Sequence, residues 1–387
     1  MPAYEIPPAK LVDIYYGRIE LRRIIMEETM LDYIKESSTL VRNNTLNSKE
    51  LTKKAVEKYL TKDFNRIIII ASGSSYNGSY CARLFMEKLL KVKVDIITSF
   101  TFNNYETIFD DKTFVFGVGQ SGRSTNTNDA LDKARSHGLT CVGLTGNVEA
   151  IMKDHVDTIC NWGMGIEKIG FVTKGVATLT LFLDLFAIEA AYHKGLIDTD
   201  EYNRYHNELL YVSEVMDDTY HKALKWYEDN EEELTDLKRV QILGYGTSHG
   251  AALEGALKIA ECTGHGATAY EMEEFLHGPS IETNGDRTVI IIDSGDTPSD
   301  RARLIYENLH VLTDRVYLLT TKTYEDQKVL TLKSIPEYFS TLVNCIPFQI
   351  IAAKGRDKWV NPLDDARKKM NDIVGYKAPK TGKELGL

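Results

Sequence analysis

A strand-then-turn unit written twice, offset by 173 residues, constrains this 387-residue chain more than any other feature. The first copy is Arg66-Ile67-Ile68-Ile69-Ile70-Ala71 running into Ser72-Gly73-Ser74-Ser75-Tyr76. The second is Val240-Gln241-Ile242-Leu243-Gly244-Tyr245-Gly246-Thr247-Ser248. A continuous β-branched run without polar alternation suits a strand buried on both faces, as in parallel sheets covered by helices. Strand-like runs Val94–Ser99, Thr113–Val118, Thr140–Leu144 and Val156–Cys160 follow the first copy, and Thr288–Asp293 and Arg315–Thr320 follow the second, with helical segments between. Such alternation predicts a doubly wound α/β architecture with parallel sheets. Two tandem copies of one module account for the length better than one large domain.

The boundaries follow from the pattern. Residues 1–64 carry helical spacing, as in Leu21–Met26; 65–197 form the first α/β domain; the acidic stretch 198–238 reads as solvated linker helices; 239–350 form the second domain; 351–387 form a tail closing the site. Composition bounds the partners. A net charge of −10 opposes binding to nucleic acid, which needs a concentrated basic surface. Any bound phosphate must therefore be held by local donors. The five cysteines form no CxxC pair, so neither a disulfide framework nor a structural zinc site is expected, and no metal or cofactor is invoked. The start, Met1-Pro2-Ala3-Tyr4-Glu5, lacks a secretion signal. The stretch Val176–Tyr192, interrupted by Asp184 and Glu189, reads as a buried helix too short and too charged to cross a membrane. A cytoplasmic protein is the expectation.

Two loops share one composition. Ser72-Gly73-Ser74-Ser75 and Gly119-Gln120-Ser121-Gly122-Arg123-Ser124 each follow a predicted strand and precede a predicted helix. Small residues let the backbone approach an anion, and a helix N-terminus adds free N–H groups. One such loop is commonly just a turn. Two at the ligand-binding edge of one sheet point to a small phosphate. Neither is a Walker loop nor a dinucleotide fingerprint. In the second module, Glu254, Lys258 and Glu261 fall at i, i+4 and i+7 on one helical face, and His277 follows in Glu273-Glu274-Phe275-Leu276-His277-Gly278-Pro279. Carboxylate, amine and imidazole together can open a sugar ring and move a proton between adjacent carbons. The bland alternative is a surface salt bridge with an ordinary loop histidine. Gly255, Ala256 and Ala260 suggest close packing instead. His249 belongs to the helix start, and His265 has no assigned role.

These motifs resemble the sugar isomerase (SIS) family over nearly all of residues 20–375. Gly73-Ser74-Ser75-Tyr76-Asn77 is similar to its G-T-S-Y-N loop, Gln120-Ser121-Gly122-Arg123-Ser124 to its Q-S-G-E-T loop, and Glu167 with Thr173-Lys174 to its E…TK turn. Leu253-Glu254-Gly255-Ala256-Leu257-Lys258 and His277-Gly278-Pro279 match its LEGALK and HGP motifs. The resemblance is to the isomerase half of the glutamine–fructose-6-phosphate amidotransferases and to the fructosamine/glucoselysine-6-phosphate deglycases. It implies two tandem flavodoxin-like, three-layer modules. It further implies that Ser74, Ser75, Gln120, Ser121 and Ser124, with Thr173 and Glu254, bind the sugar phosphate, that Glu261 is the base, that Lys258 polarises the sugar oxygens and that His277 assists ring opening. In the family the histidine comes from a neighbouring subunit, so a homodimer sharing its active site is implied.

Three departures from that pattern shape the functional expectation. No glutaminase domain or N-terminal catalytic cysteine is seen, the family's loop glutamate is Arg123, and its tail lysine aligns with Arg367, leaving Lys368 as the substitute. Arginine stays protonated and cannot form an imine. The expected activity is a deglycase acting on fructosamine or glucoselysine 6-phosphate. The alternatives are a glucosamine-6-phosphate isomerase or deaminase and a non-catalytic sugar-phosphate sensor.

Overall fold

The computed structural model describes residues 28–295, 298–359, 363–375 and 377–379, so the helical reading of Leu21–Met26 lies outside the described residues. The chain enters through two helices, α1 (Met30–Leu46) and α2 (Ser48–Tyr59). Thr29 and Asp32 cap α1 reciprocally, each side chain meeting the other's backbone N–H. The first module then runs β1 (Arg66–Ala71), α3 (Ser74–Leu90), β2 (Lys93–Thr98), α4 (Ser99–Tyr105), β3 (Thr113–Val118), α5 (Thr125–Ser136), β4 (Thr140–Thr145), β5 (Thr158–Asn161) and α6 (Lys174–His193). The long α7 (Thr199–Asp229) and short α8 (Glu231–Thr235) lead to the second module: β6 (Arg239–Gly244), α9 (Ser248–Thr263), β7 (Gly266–Glu271), β8 (Arg287–Ile292), α10 (Ser299–Leu309), β9 (Val316–Thr320), β10 (Val329–Thr331) and α11 (Ser340–Arg356). A tail helix, α12 (Asp364–Ile373), follows.

Both sheets are parallel and five-stranded. The first has the order β2-β1-β3-β4-β5; the second, read from its other edge, is β7-β6-β8-β9-β10. The orders coincide strand for strand. β1 registers Arg66 on Thr113, and β6 registers Arg239 on Arg287. This is the flavodoxin-type order, whose ligand crevice lies where the winding reverses, between β1 and β3 or between β6 and β8.

Strand periodicity divides the core. Ile67, Ile69 and Ala71 face a large apolar cluster that also takes Val240, Ile242, Ile290 and Leu319 from the second module. Ile68 and Ile70 point the other way, onto Val115, Leu131, Ala134 and Cys141. Leu243, Val289 and Ile291 repeat that outer layer with Ile305 and Tyr306. Inner faces are thus shared between the modules and outer faces are private.

Three expectations need correction. The acidic stretch after residue 198 is not simply solvated. α7 has a capping box of Asp198 and Glu201, and it buries Tyr205, Leu209, Val212, Val215, Met216, Ala223 and Tyr227 in the shared core. Its charges occupy only the other face. Two strands were missed: β7, whose Gly266-Ala267-Thr268-Ala269-Tyr270-Glu271 lacks an apolar run, and the three-residue β10. Finally, α6 is a 20-residue helix, long and apolar enough to span a bilayer by length and composition. Length does not exclude that role; 89% of its most apolar window is buried inside the protein.

Candidate functional site

The first module's ligand edge is built by two loops. After β1, Gly73 adopts φ +60°, ψ −136°, a conformation that suits glycine, and turns the chain directly into α3. Ser75, half-buried, stands at the start of that helix, and its carbonyl accepts from Ser79 Oγ (2.7 Å). After β3, Gly122 (φ +62°) fits beneath Ala150, whose Cβ would lie 2.6 Å from a Cβ placed there. The half-buried Ser121 accepts the Arg123 N–H at Oγ (3.4 Å), and Ser124 accepts from Thr127 Oγ1 (3.1 Å). Gln120 Nε2 donates to Glu167 Oε2 (2.9 Å).

Glu167 fixes this edge to α6. Its Oε1 accepts the N–H groups of Thr173 (2.7 Å) and Lys174 (3.0 Å), so the carboxylate caps the helix and meets its positive end. Burial pushes the Glu167 pKa up, and the two backbone donors and Gln120 oppose that shift. Thr173 is fully buried, with its hydroxyl donating to the Phe171 carbonyl (3.0 Å). It closes the turn that leads into α6.

α9 carries the acid–base row, and the surrounding helices decide how it is used. A Cβ on Gly255 would sit 2.7 Å from the Phe348 ring of α11, so the helix is pressed in tightly. Glu254 is 0% exposed. Its Oε1 accepts from Ser74 Oγ (3.0 Å) and its Oε2 from Asn77 Nδ2 (2.9 Å), both on α3 of the first module. Lys258, also 0% exposed, lies 3.6 Å from Glu254 and 2.5 Å from Glu261. Burial opposes the charge on Lys258, but the two carboxylates outweigh it and hold its pKa above the ordinary lysine value. Burial lifts the Glu254 pKa, with Lys258, Asn77 and Ser74 pulling the other way. The Glu261 side chain is 37% exposed. The row thus runs from a sealed carboxylate through a sealed ammonium to a carboxylate that meets solvent.

Several expectations change with this geometry. Ser74 and Glu254 are both buried and hydrogen-bonded to each other across the module boundary. Lys258 is buried, and its ammonium is held against Glu261. His277, on a short 3-10 turn (Glu274–His277), is exposed and makes no hydrogen bond or ion pair with Glu261 or the serine loops among the described residues. Lys368 stands on α12 with its ammonium paired to Asp364 (2.7 Å) and Asp365 (3.9 Å), and Arg367 pairs with Asp364 (2.9 Å). The structure brings Gln120 to Glu167 and Thr173, and Ser74 to the Glu254–Lys258–Glu261 row; it brings His277 and Lys368 to neither. His249 opens α9 edge-on to Tyr80 (5.6 Å), and burial lowers its pKa. Sequence reasoning missed Asn77, whose signal was its position three residues after Ser74 on the same helical face.

Comparison with known proteins agrees with this architecture. A model of the SIS domain matches residues 60–188 and 233–322, one segment in each module. The glutamine–fructose-6-phosphate aminotransferase (isomerizing) of Clostridium tetani is 26% identical over 342 residues, covering 84% of this chain and 53% of that protein. The Bartonella quintana enzyme of the same name is 26% identical over 302 residues, 75% of this chain and 49% of its own length. The chain therefore spans about half the length of the curated relatives it matches. Among solved structures, a Clostridium difficile 630 protein assigned to the phosphosugar isomerases superimposes with a TM-score of 0.84 at 28% identity, covering 91% of this chain and 99% of that one. The C-terminal domain of the Francisella tularensis glucosamine-fructose-6-phosphate aminotransferase shares the fold at a TM-score of 0.76 and 22% identity, over 86% and 96% of the two chains. With a doubled sheet of one strand order and a family match in both halves, the chain belongs to the SIS domain family.

Proposed function

We propose that this protein is a sugar-phosphate enzyme that moves a proton between C1 and C2 of a hexose 6-phosphate, and that its substrate carries an amine at C1. The observation that carries this reading is the solvent-facing Glu261 carboxylate held at 2.5 Å by a buried Lys258 ammonium. A base needs exposure to reach its proton and a fixed partner to aim it. Phosphate would sit on the Gln120–Ser124 loop and Ser75, supplied with hydroxyl and backbone donors.

For a fructosamine 6-phosphate the steps balance as follows. Glu261 takes a C1 proton while the C2 oxygen gains one, giving an enolamine. Proton return at C2 gives an imine with C1=N. Water adds to C1 and the amine leaves, yielding an aldose 6-phosphate. His277, exposed within one chain, would reach this site from a second copy and assist ring opening.

Substrate profiling tests the proposal. Release of free amine from fructosyl-lysine 6-phosphate or a related ketoamine by the wild-type chain, lost in Glu261→Gln, is the expected result. Inertness of the wild-type chain toward all phosphorylated ketoamines overturns it. The sequence relatives are named isomerizing aminotransferases of fructose 6-phosphate, and a second reading is isomerisation or deamination of glucosamine 6-phosphate. Ammonia or ketose formation from that compound alone would select it.

A further inference from the structure

The second serine loop holds a residue that neutral phosphate recognition does not explain. Arg123 lies between Ser121 and Ser124, half-buried. Its Nε is shut off from solvent without a hydrogen-bond partner, and the side chain makes no ion pair among the described residues. Arginine cannot shed its charge, so a sheltered guanidinium calls for an anion. The rest of its loop, Gly119-Gln120-Ser121-Gly122 and Ser124, contains no carboxylate.

The C-terminal segment lies across this same loop. Ala378 N–H donates to the Arg123 carbonyl (2.8 Å), Ser124 and Lys377 pair in an antiparallel bridge, and Thr125 Oγ1 donates to the Gly375 carbonyl (2.8 Å). This docking brings Lys377 beside Arg123. Lost hydration and the neighbouring guanidinium together hold the Lys377 pKa below the ordinary lysine value. Two cationic residues thus meet on one loop of a chain with net charge −10.

We propose that Arg123 is a charged ligand for the substrate phosphate, and that the dianion fastens the segment bearing Gly375, Lys377 and Ala378 onto the loop. The inference rests on the proposed phosphate role of that loop. It adds a specificity determinant: the planar guanidinium fork selects a phosphate dianion over an uncharged sugar, which serine hydroxyls alone do weakly. It also makes the tail a reporter of phosphate occupancy.

Calorimetric titration of the full chain with fructose 6-phosphate and with inorganic phosphate tests this in wild type, Arg123→Gln and Arg123→Lys, alongside trypsin cleavage after Lys377. Wild type is expected to bind fructose 6-phosphate and to resist that cleavage when it is bound. Arg123→Gln should bind both probes roughly ten- to a hundredfold more weakly, the range of one charge-assisted contact. It should also lose ligand-dependent protection, while Arg123→Lys recovers part of both and guards against a folding defect in the glutamine variant. Binding by Arg123→Gln within about twofold of wild type overturns the inference and leaves the loop's phosphate role standing. Protection of Lys377 that does not change with ligand in wild type overturns the tail's part. Failure of wild type to bind either probe overturns the proposed phosphate role, and this inference with it.

Discussion

The two modules share a strand order, yet their ligand edges have opposite chemistry. By register, Asp293 in the second module stands where Gly119 stands in the first, immediately after the central strand. The Asp293 carboxylate is buried and accepts from Ser299 Oγ (2.5 Å), Thr320 Oγ1 (2.7 Å), the Gly295 N–H (3.0 Å), Tyr245 OH (3.2 Å) and Arg303 Nη1 (3.2 Å). Beside it Ser248 and Ser294 are hydrogen-bonded, and Asn344 Nδ2 donates to both (3.2 and 3.1 Å). The second edge carries its own anion, with donors converging from β9, α10 and two loops. The first edge offers hydroxyls and a guanidinium with no carboxylate in the Gly119–Ser124 loop. The turn after the central strand is thus closed on its own carboxylate in the second module and lined by hydroxyls in the first. The same contrast runs through the buried aspartates. Asp293 has five donors, whereas Asp184 on α6 is 0% exposed with neither carboxylate oxygen hydrogen-bonded, and burial, with Cys81 nearby, pushes its pKa well above the usual range.

The largest expected effect tests whether chemistry belongs to the exposed end of the α9 row. Glu261→Gln should lower turnover on the ketoamine phosphate about 10²–10⁴-fold, with only a partial loss of stability, because Glu254 still pairs with the buried Lys258. Turnover by the variant within about tenfold of wild type, measured well below its melting temperature, would make Glu261 structural. Next, Asp293→Ala should cost about 3–5 kcal/mol in denaturant unfolding, since it removes the buried acceptor shared by the Ser299, Thr320 and Tyr245 hydroxyls and one of the two carboxylates paired with Arg303. A variant as stable as wild type would end the view of the second edge as a self-satisfied core.

Asp184 gives an effect with a defined sign. Its folded pKa is raised, so the wild-type chain is favoured while this group is protonated, and that advantage fades as pH rises above about 4. Asp184→Asn cannot ionise and should gain stability relative to wild type with increasing pH, by up to about 1.4 kcal/mol per unit. Thermal melts of the pair across pH 4–8 check this, and parallel curves would refute it. The smallest effect sharpens the first edge: Ser121→Ala should weaken phosphosugar binding by about 0.5–1.5 kcal/mol and leave unfolding unchanged. Ser294→Ala, at the sealed edge, should do the reverse.

How much of this was legible follows from range along the chain. β1 and β3 were plain because Ile67–Ile70 and Phe114–Phe116 are unbroken apolar runs. The serine loops were plain because glycine and hydroxyl residues cluster there within six positions. The spacing of Glu254, Lys258 and Glu261 was readable as one helical face, but their different exposures were not. β7 escaped because a strand of small and polar residues owes its existence to β6 beside it. α7 was misread because its charges are obvious in composition while its apolar stripe shows only at helical period.

The sequence by itself determined the doubled α/β plan, the position of the ligand edges and the helical row of acid, amine and acid. These are local or periodic properties, set by propensity and by turn chemistry over a few residues. Only the tertiary structure decided which charges are sealed and which are presented. Ser74 and Asn77 lie about 180 positions from Glu254, and the donors around Asp293 span Tyr245 to Thr320. Burial of a charge depends on what packs over it, and that is settled by contacts between distant segments.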